Sequence, residues 1–254
     1  MKILIINASH RKKGNTSLVN EIIAEKLKTF GDIEIEQIFL SDLNIWLCKG
    51  CACCITIGED HCPNKNDDRT LLEQKLLVSD GVIFASPIYA MNMTTLMKNF
   101  MDRFAFTMHR PRFFNQYTMI VSVTGAFGLD ETIKSISQLK YSGFNIVQTL
   151  GLIVQNPLEN VAIDDTKQIK KIEKTAEKFY YTIKNKKKIE PSIIKYLSFQ
   201  LQRKFFSKLD PEKYADWKYF NEKGWFNPDC KYYTPNLKTS KLQYKISKLI
   251  SKFI

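Results

Sequence analysis

The first 185 residues alternate between short, strongly apolar segments and longer segments with helical spacing. Lys2–Asn7 (KILIIN) is a β-branched run of the kind that is buried on both faces of a parallel sheet. The later β-like segments are Ile33–Leu40, Gly81–Ala85, Tyr117–Val123 and Asn145–Val154. This alternation predicts parallel strands joined by right-handed helical crossovers. We therefore expect the α/β class, with a doubly wound, five-stranded parallel sheet.

Helical segments separate these strands and cover the sheet. They are predicted over Thr16–Thr29, Asp67–Val78, Met93–Thr107, Asp130–Tyr141 and Thr166–Asn185. In a doubly wound sheet, ligands bind beyond the carboxyl ends of the strands, where the winding direction reverses. The pattern therefore directs attention to the loops after the first and third strands.

The charge of the chain divides it into two parts. Residues 1–163 carry 16 basic and 16 acidic residues, so the whole net charge of +12 lies in the last 91 residues. This predicts a neutral domain over residues 1–185, with a Cys-rich insert at 47–63, followed by a basic C-terminal extension over 186–254. A uniformly basic nucleic-acid binder would distribute its charge differently, so we expect no nucleic-acid partner.

The N-terminus predicts the compartment. The chain opens directly into the first strand, without the apolar stretch of a signal peptide, and no apolar run approaches the ~20 residues that cross a bilayer. We expect a cytoplasmic protein, in which the six cysteines do not form disulfides.

The loop after the first strand suits a phosphate group. Gly14 allows a tight turn, Asn15 or Thr16 can cap the next helix, and a helix N-terminus offers N–H groups to an anion. The candidate phosphate contacts are Ser9, Arg11, Asn15, Thr16 and Ser17. Neither a Walker P-loop nor a dinucleotide fingerprint occurs. The alternative is a capped helix with a few surface cations.

Three motifs occur in order along the chain: Ser-x-Arg-x-x-Gly-Asn-Thr-Ser after the first strand, Asp-Gly-(strand)-Ser-Pro-x-Tyr around the third, and Lys-x-x-x-Asp-Arg over 98–103. Together they resemble the NAD(P)H-dependent FMN reductase and iron–sulfur flavoprotein branch of the flavodoxin-like superfamily. The resemblance covers residues 1 to about 180. It implies a flavodoxin-like fold, bound FMN, and a homodimer or higher homo-oligomer. We interpret Asp102 and Arg103 as an ion pair on a helix near a subunit contact.

The resemblance also places the flavin ring. An isoalloxazine needs an apolar slot with a few main-chain donors, which a rigid strand-end loop can present. The candidate ring contacts are Pro87, Ile88, Tyr89, Ala90, Met91, Asn92, Thr124, Gly125 and Ala126. For Tyr89 and Met91, ordinary core packing is the alternative.

Five of the six cysteines lie close together. Cys48, Cys51, Cys54 and Cys62 have the spacing C-x2-C-x2-C-x7-C, in which closely spaced thiolates can wrap an iron–sulfur cube. The spacing resembles the compact cluster motif of iron–sulfur flavoproteins, which implies a 4Fe–4S cluster with Cys53 as a spare. The alternatives are zinc, with four thiolates or with His61 as one ligand, and no metal.

The basic extension contains two predicted amphipathic helices, over Ile193–Leu209 and Lys238–Ile254, and an aromatic segment between them. The apolar positions of the two helices are Ile194, Leu197, Leu201, Phe205 and Leu209 in the first, and Leu242, Ile246, Leu249, Ile250 and Phe253 in the second. We expect these stripes to be buried on the core or on a second subunit. The alternatives are contact with an anionic membrane surface or an acidic partner, and nucleic-acid binding by the interleaved aromatics and lysines.

These features predict an FMN-dependent oxidoreductase that relays electrons between NAD(P)H or a ferredoxin and an acceptor through FMN and a 4Fe–4S cluster. Because such a cofactor carries the chemistry, we assign no catalytic side chain. The alternative is a non-enzymatic electron carrier or redox-responsive interaction module whose basic tail selects the partner.

Overall fold

The computed structural model describes residues 1–154, 163, 165–234 and 240–251. Six strands form one sheet, in which five run parallel in the order β2-β1-β3-β5-β6 and the short β4 pairs antiparallel with the end of β3. The strands are β1 (Lys2–Asn7), β2 (Glu34–Phe39), β3 (Gly81–Tyr89), β4 (Asn92–Met93), β5 (Tyr117–Thr124) and β6 (Asn145–Ile153). The predicted doubly wound parallel sheet is confirmed. Its winding reverses between β1 and β3, as the alternation indicated.

Ten α-helices accompany the sheet in the described part of the chain. They are α1 (Asn15–Lys28), α2 (Cys53–Thr56), α3 (Arg69–Leu77), α4 (Thr95–Arg103), α5 (Phe106–His109), α6 (Leu129–Ile136), α7 (Thr166–Lys184), α8 (Ile193–Phe206), α9 (Ala215–Glu222) and α10 (Lys241–Ile250). The predicted helix over Met93–Thr107 is divided into α4 and α5, and the predicted third strand continues past Pro87 to Tyr89. None of the described helices is long and apolar enough to cross a membrane.

Apolar side chains are buried on both faces of the sheet. Strand β1 shows the reason for its composition, because Ile3 and Ile5 pack on one face while Leu4 and Ile6 pack on the other. Helices α1 and α7 cover the first face, and α3, α4 and α6 contribute to the second. Apolar side chains therefore cover both faces of each central strand, which leaves the strand ends as the place for a polar ligand.

The extension has an aromatic cluster of its own. Its buried members are Tyr196, Phe199, Phe206, Phe220, Trp225, Tyr232 and Tyr233. Two positions of the predicted stripe of α8, Ile194 and Phe205, are not buried within the chain, because the face with Tyr196, Phe199 and Phe206 points inward; packing of the exposed positions on a second subunit stays a prediction. Aromatic rings bury more area than the aliphatic stripe, and they decide which face of α8 packs.

Helix α10 differs more strongly from the prediction. It turns Ser247 inward and leaves the predicted apolar stripe exposed, namely Leu242, Ile246, Leu249 and Ile250. For the described residues this stripe does not pack on the core, and its predicted packing on a second subunit stays a prediction. Phe253 lies outside them, as do residues 235–239 of the predicted segment.

Candidate functional site

The loop between β1 and α1 is shaped by its own polar side chains. The Asn7 side chain donates from Nδ2 to Ser17 Oγ (3.1 Å) and accepts the Ser9 N–H at Oδ1 (3.0 Å). Ser9 Oγ accepts the Arg11 N–H (3.1 Å), and the Ser9 and Ser17 hydroxyls both donate to the Arg11 carbonyl (3.2 and 3.3 Å). Ser17 is completely buried. These two hydroxyls, predicted as phosphate donors, are engaged inside the loop.

Helix α1 begins without a side-chain cap. Its N-cap residue is Gly14, in an extended conformation (φ −84°, ψ 171°), and not Asn15 or Thr16 as predicted. Asn15 and Thr16 instead form the start of the first turn. The first N–H groups of a helix have no intrahelical partner, and together with the helix dipole they favour an anion. This end of α1 is therefore equipped to bind phosphate through the main chain.

Strands β3 and β4 form a tight hairpin at the end of the sheet. Tyr89 pairs with Asn92, and the two residues between them, Ala90 and Met91, both have positive φ (48° and 66°). Two successive left-handed residues are typical of a type I′ turn, which normally uses Asn and Gly. Here the turn is built from residues with ordinary side chains, which is why sequence reasoning missed it.

Gly128 lies directly against this hairpin tip. A Cβ at Gly128 would approach the Met91 carbonyl oxygen to 2.8 Å, and Gly128 itself has φ +89°. Only glycine meets both conditions, the close approach and the left-handed backbone. The loop after β5 therefore packs directly against the tip of the β3–β4 hairpin.

Thr94 joins the hairpin to the β1–α1 loop. Its N–H donates to Ser86 Oγ (3.2 Å), and its hydroxyl donates to the Ala8 carbonyl (2.9 Å) and accepts the Met97 N–H (3.3 Å) to cap α4. The Ala8 N–H in turn donates to the Ala85 carbonyl (2.8 Å). The loops after the first and third strands thus have a fixed separation.

A cleft opens between these loops, with about 420 Å³ of space that includes its opening to solvent. We call it the strand-end cleft. It is lined by Ser9, Arg11, Gly14, Asn15, Thr16, Pro87, Ile88, Tyr89, Val123, Thr124 and Gly125. Nine of these residues were predicted; Gly14 and Val123 were not, although the position of Gly14 directly before the helix was a usable signal.

The other predicted residues lie next to the cleft and not on its wall. Ala90, Met91 and Asn92 form the hairpin turn and its edge, Ala126 donates its N–H to Thr124 Oγ1 (3.2 Å), and Ser17 lies behind the loop. Tyr89 and Met91 are 50% and 56% exposed, so core packing does not account for them.

A second feature is the cysteine segment, which we define as residues 44–68. Arg103 holds its two ends together: the guanidinium donates to the Trp46 carbonyl (3.1 Å) and the Asn64 carbonyl (3.0 Å), and it pairs with Asp67 (2.6 Å). Both charged side chains are almost completely buried. The predicted pairing of Arg103 with Asp102 is wrong, because Asp102 pairs with Lys98 at the surface.

Side-chain amides add to this closure. Asn64 Nδ2 donates to the Leu47 carbonyl (2.7 Å), and Asn99 Nδ2 on α4 donates to the Ile45 carbonyl (3.1 Å). Asp68 accepts the Asn44 N–H (2.7 Å) and returns its own N–H to the Asn44 carbonyl (3.1 Å). The segment is therefore a loop with a closed base.

The thiols lie in the loop above this base. Cys48 and Cys51 are exposed and Cys53, Cys54 and Cys62 are partly buried, all as free thiols. The Cys53 N–H, followed by the Cys53 thiol, lowers the pKa of Cys51, whereas burial raises the pKa of Cys54 against the opposing field of Arg110. Among the described residues, no three His, Cys, Asp or Glu side chains are gathered as metal ligands.

The underside of the segment is ionic. Arg110 pairs with Glu59 (2.7 Å), and Arg112 bridges Glu59 (3.0 Å) and Glu73 (2.8 Å). Burial raises the pKa of Glu59, but Arg110 and Arg112 lower it further, so the net shift is downward. These arginines were not predicted, since charged residues in a sequence are most simply interpreted as solvated.

Comparisons with known proteins agree with this geometry. The profile of the NADPH-dependent FMN reductase family matches residues 1–156. An iron–sulfur flavoprotein of Archaeoglobus fulgidus is 29% identical over 227 residues (88% of this chain and 99% of that protein), and one of Clostridioides difficile is 31% identical over 191 residues (74% and 81%).

Solved structures share the fold. A flavone reductase superposes with a TM-score of 0.58 at 19% identity, covering 73% of this chain and 64% of that chain. The structure of RosB with a bound riboflavin-phosphate intermediate superposes with a TM-score of 0.57 at 12% identity, covering 73% and 81%. The chain is an oxidoreductase that belongs to the family of NADPH-dependent FMN reductases and iron–sulfur flavoproteins.

Proposed function

We propose that the protein binds FMN in the strand-end cleft and transfers electrons from NAD(P)H or a ferredoxin to an acceptor. The observation that carries this proposal is the uncapped N-terminus of α1 at the cleft, beside a hairpin whose turn residues, Ala90 and Met91, are exposed. The residues fit FMN, since the first provides an anion site and the second provides the polar main-chain edge that a flavin ring requires.

Each wall of the cleft has a separate task. Asn15 and Thr16 bind the phosphate with main-chain N–H groups, in a loop whose shape Ser9 and Ser17 maintain. Pro87, Ile88 and Tyr89 on the wall, with Ala90, Met91 and Asn92 next to it, would contact the ring together with Thr124, Gly125 and the adjacent Ala126. Bound FMN would supply both hydride and single-electron transfer, and the residues of the cleft would position it.

We propose further that Cys48, Cys51, Cys54 and Cys62 hold a 4Fe–4S cluster, with Cys53 as a spare. The donor set has the chemistry for it, because four thiols lie in one closed loop and two of them are exposed. Two relatives that align over most of this chain are named iron–sulfur flavoproteins. The bound cluster would supply single-electron transfer.

The organisation proposed from the sequence completes this picture. Residues 1–185 form the FMN-binding domain and 186–254 the basic extension, in a cytoplasmic homodimer or higher homo-oligomer. Exposed apolar side chains on the cysteine segment and beside the cleft support the oligomer; they are Trp46, Leu47, Ile57, Tyr89, Met91 and Phe127. Light scattering of the purified protein would give the mass of a single chain if the oligomer proposal is wrong.

An absorbance spectrum and a metal analysis of anaerobically purified protein test the cofactors. We expect flavin bands, broad iron–sulfur absorbance and about four irons per chain. Colourless protein that does not take up added FMN would refute the flavin site, while zinc or no metal in a yellow protein would refute only the cluster. Steady-state turnover of NAD(P)H distinguishes an enzyme of this kind from a carrier that only a protein partner reduces.

A further inference from the structure

The extension contributes one buried charge to the region below the cysteine segment. Asp216, at the start of α9, is 1% exposed and accepts a charged hydrogen bond from the Arg110 guanidinium. Its other oxygen lies 2.8 Å from Nδ1 of His109. Isolated carboxylates are rarely buried to this extent, so the pairing with Arg110 is what permits Asp216 to remain inside.

Arg110 contacts Asp216 through Nη1 and the cysteine segment through Nη2. Nη2 donates to the Cys54 carbonyl (2.5 Å) and pairs with Glu59 (2.7 Å), and the Arg110 side chain is 2% exposed. A single guanidinium therefore joins the extension to the main chain of a proposed cluster ligand. The planar fork presents Nη1 to Asp216 and Nη2 to the Cys54 carbonyl at once, whereas a lysine would offer a single nitrogen.

The surrounding charges balance. Arg69, Arg110 and Arg112 all lie 5.1 to 5.5 Å from the centre of the Phe106 ring, and their carboxylate partners are Glu59, Glu73 and Asp216. Asp216 is the one carboxylate of this group that comes from the extension. Removal of its charge would leave the buried Arg110 guanidinium with Glu59 as its carboxylate partner, and Glu59 also pairs with Arg112, so the loss of Asp216 breaks a buried pair by removing one partner, which is costly.

Helix α9 also touches the segment through small residues. A Cβ built at Gly58 would lie 3.9 Å from the Ala215 Cβ, so the two backbones are close. Gly58 and the preceding turn α2 (Cys53–Thr56) are the part of the segment that carries Cys54. The extension is therefore placed against the ligand-bearing turn by packing and by charge.

We propose that the extension is a clamp on the cysteine segment, in which Asp216 positions Arg110 and Arg110 positions the Cys54 backbone. Asp216 is a positioning residue, since it touches no cofactor. The proposal rests on the proposed function only where the cluster serves as a reporter. It gives the extension a task inside its own chain, in addition to any partner that its lysines attract.

Hydrogen exchange of full-length Asp216→Asn protein, purified anaerobically with its cofactors, tests the clamp. We expect exchange over residues 53–62 to accelerate at least ~10-fold, which corresponds to ~1.4 kcal/mol. The flavin content is expected to stay at the wild-type level, and the visible circular dichroism of the iron–sulfur chromophore to change. Glu222→Gln, an exposed acid on the same helix, is the matched control and is expected to change neither readout.

Unchanged exchange at 53–62 in Asp216→Asn, with faster exchange at 215–222, would overturn the clamp, because the extension would then only dock. If Asp216→Asn also accelerates exchange at 193–206, the extension as a whole is destabilised and this variant does not test the clamp. The test is then Asp216→Glu, which keeps the carboxylate. Protection of 53–62 in Asp216→Glu supports the proposal, and its loss with 193–206 still protected refutes it. If the wild-type protein contains no iron, the cluster proposal is refuted and circular dichroism of the chromophore cannot be measured. Hydrogen exchange still tests the clamp in that case.

Discussion

The strand-end cleft and the cysteine segment are built by opposite means. The cleft is shaped by main-chain geometry and neutral hydrogen bonds, such as those of Thr94 with Ser86 and Ala8, and its described lining includes no carboxylate. The cysteine segment is held by buried ion pairs, with Arg103 at its base and Arg110 below its turn. Neutral contacts between neighbouring strand ends make a site that forms with its sheet, whereas buried charge pairs make one that depends on each charged partner being in place.

This difference predicts that the two sites can be damaged separately. The largest effect is expected at the thiols: Cys54→Ser should abolish the iron content, because an alcohol is a poor substitute for a thiolate ligand. Flavin content should remain at the wild-type level. The matched control is Cys53→Ser, the adjacent cysteine, which should keep its iron as measured by metal analysis. Equal loss in both variants would contradict the assignment of Cys53 as a spare.

FMN binding in the cleft should be sensitive to a backbone change that leaves the cysteine segment unaffected. Gly128→Ala places a Cβ 2.8 Å from the Met91 carbonyl oxygen and should weaken FMN binding at least ~10-fold, measured by flavin fluorescence titration. Gly31→Ala is the control, since Gly31 also has positive φ (+121°) but no atom within 4 Å of its Cβ position. It shares the left-handed strain of ~1–2 kcal/mol without the contact. Similar FMN affinities in the two variants would show that the hairpin tip does not matter.

In the wild-type protein, acidic pH should destabilise the cysteine segment before it destabilises the strand-end cleft. The pKa of Glu59 is raised by burial but lowered further by Arg110 and Arg112, so it lies below its ordinary value of about 4.3. The stabilisation is present above that value and is lost as the pH falls through the depressed pKa. The protection factors for hydrogen exchange over 53–62, which correct for the intrinsic pH dependence of exchange, should therefore fall in this window before those over 86–94 do, and Glu59→Gln should remove most of that change. Parallel behaviour of the two peptides would contradict the comparison.

The smallest effect is expected at a neutral contact of the segment. Asn99→Ala removes the hydrogen bond to the Ile45 carbonyl and should lower the free energy of unfolding by ~1 kcal/mol, measured by urea denaturation. Lys98→Ala, which breaks an exposed pair with Asp102 on the same helix, should cost less. A larger loss for Lys98→Ala would mean that surface charge, and not closure of the base, stabilises this part of the chain.

The sequence was most informative where one local pattern decides the structure. The β-branched run of β1 and its successors predicted the sheet and the reversal between β1 and β3, because periodicity and burial act within a few residues. Most of the cleft followed from it, since the ends of parallel strands meet at one edge. The turn at Ala90 and Met91 did not, because neither residue type prefers positive φ.

The sequence was least informative about partners far apart in the chain. Arg103 was assigned to its neighbour Asp102, but it pairs with Asp67, and Arg110 pairs with Asp216 across more than a hundred positions. No local periodicity encodes such pairs. The outward stripe of α10 has a related cause, because the amphipathic pattern specifies two faces but not which of them meets the rest of the protein.

The turn at Ala90 and Met91 matters to anyone who evolves this protein in the laboratory. Selection for heat resistance alone would favour Asn-Gly there, since that pair adopts the same bend with less steric conflict. The winning clones would then lack the exposed Met91 thioether beside the cleft mouth. We expect such a screen to raise the thermal stability and to lower the affinity for FMN. A second round of selection for yellow colonies should then restore Ala90 and Met91.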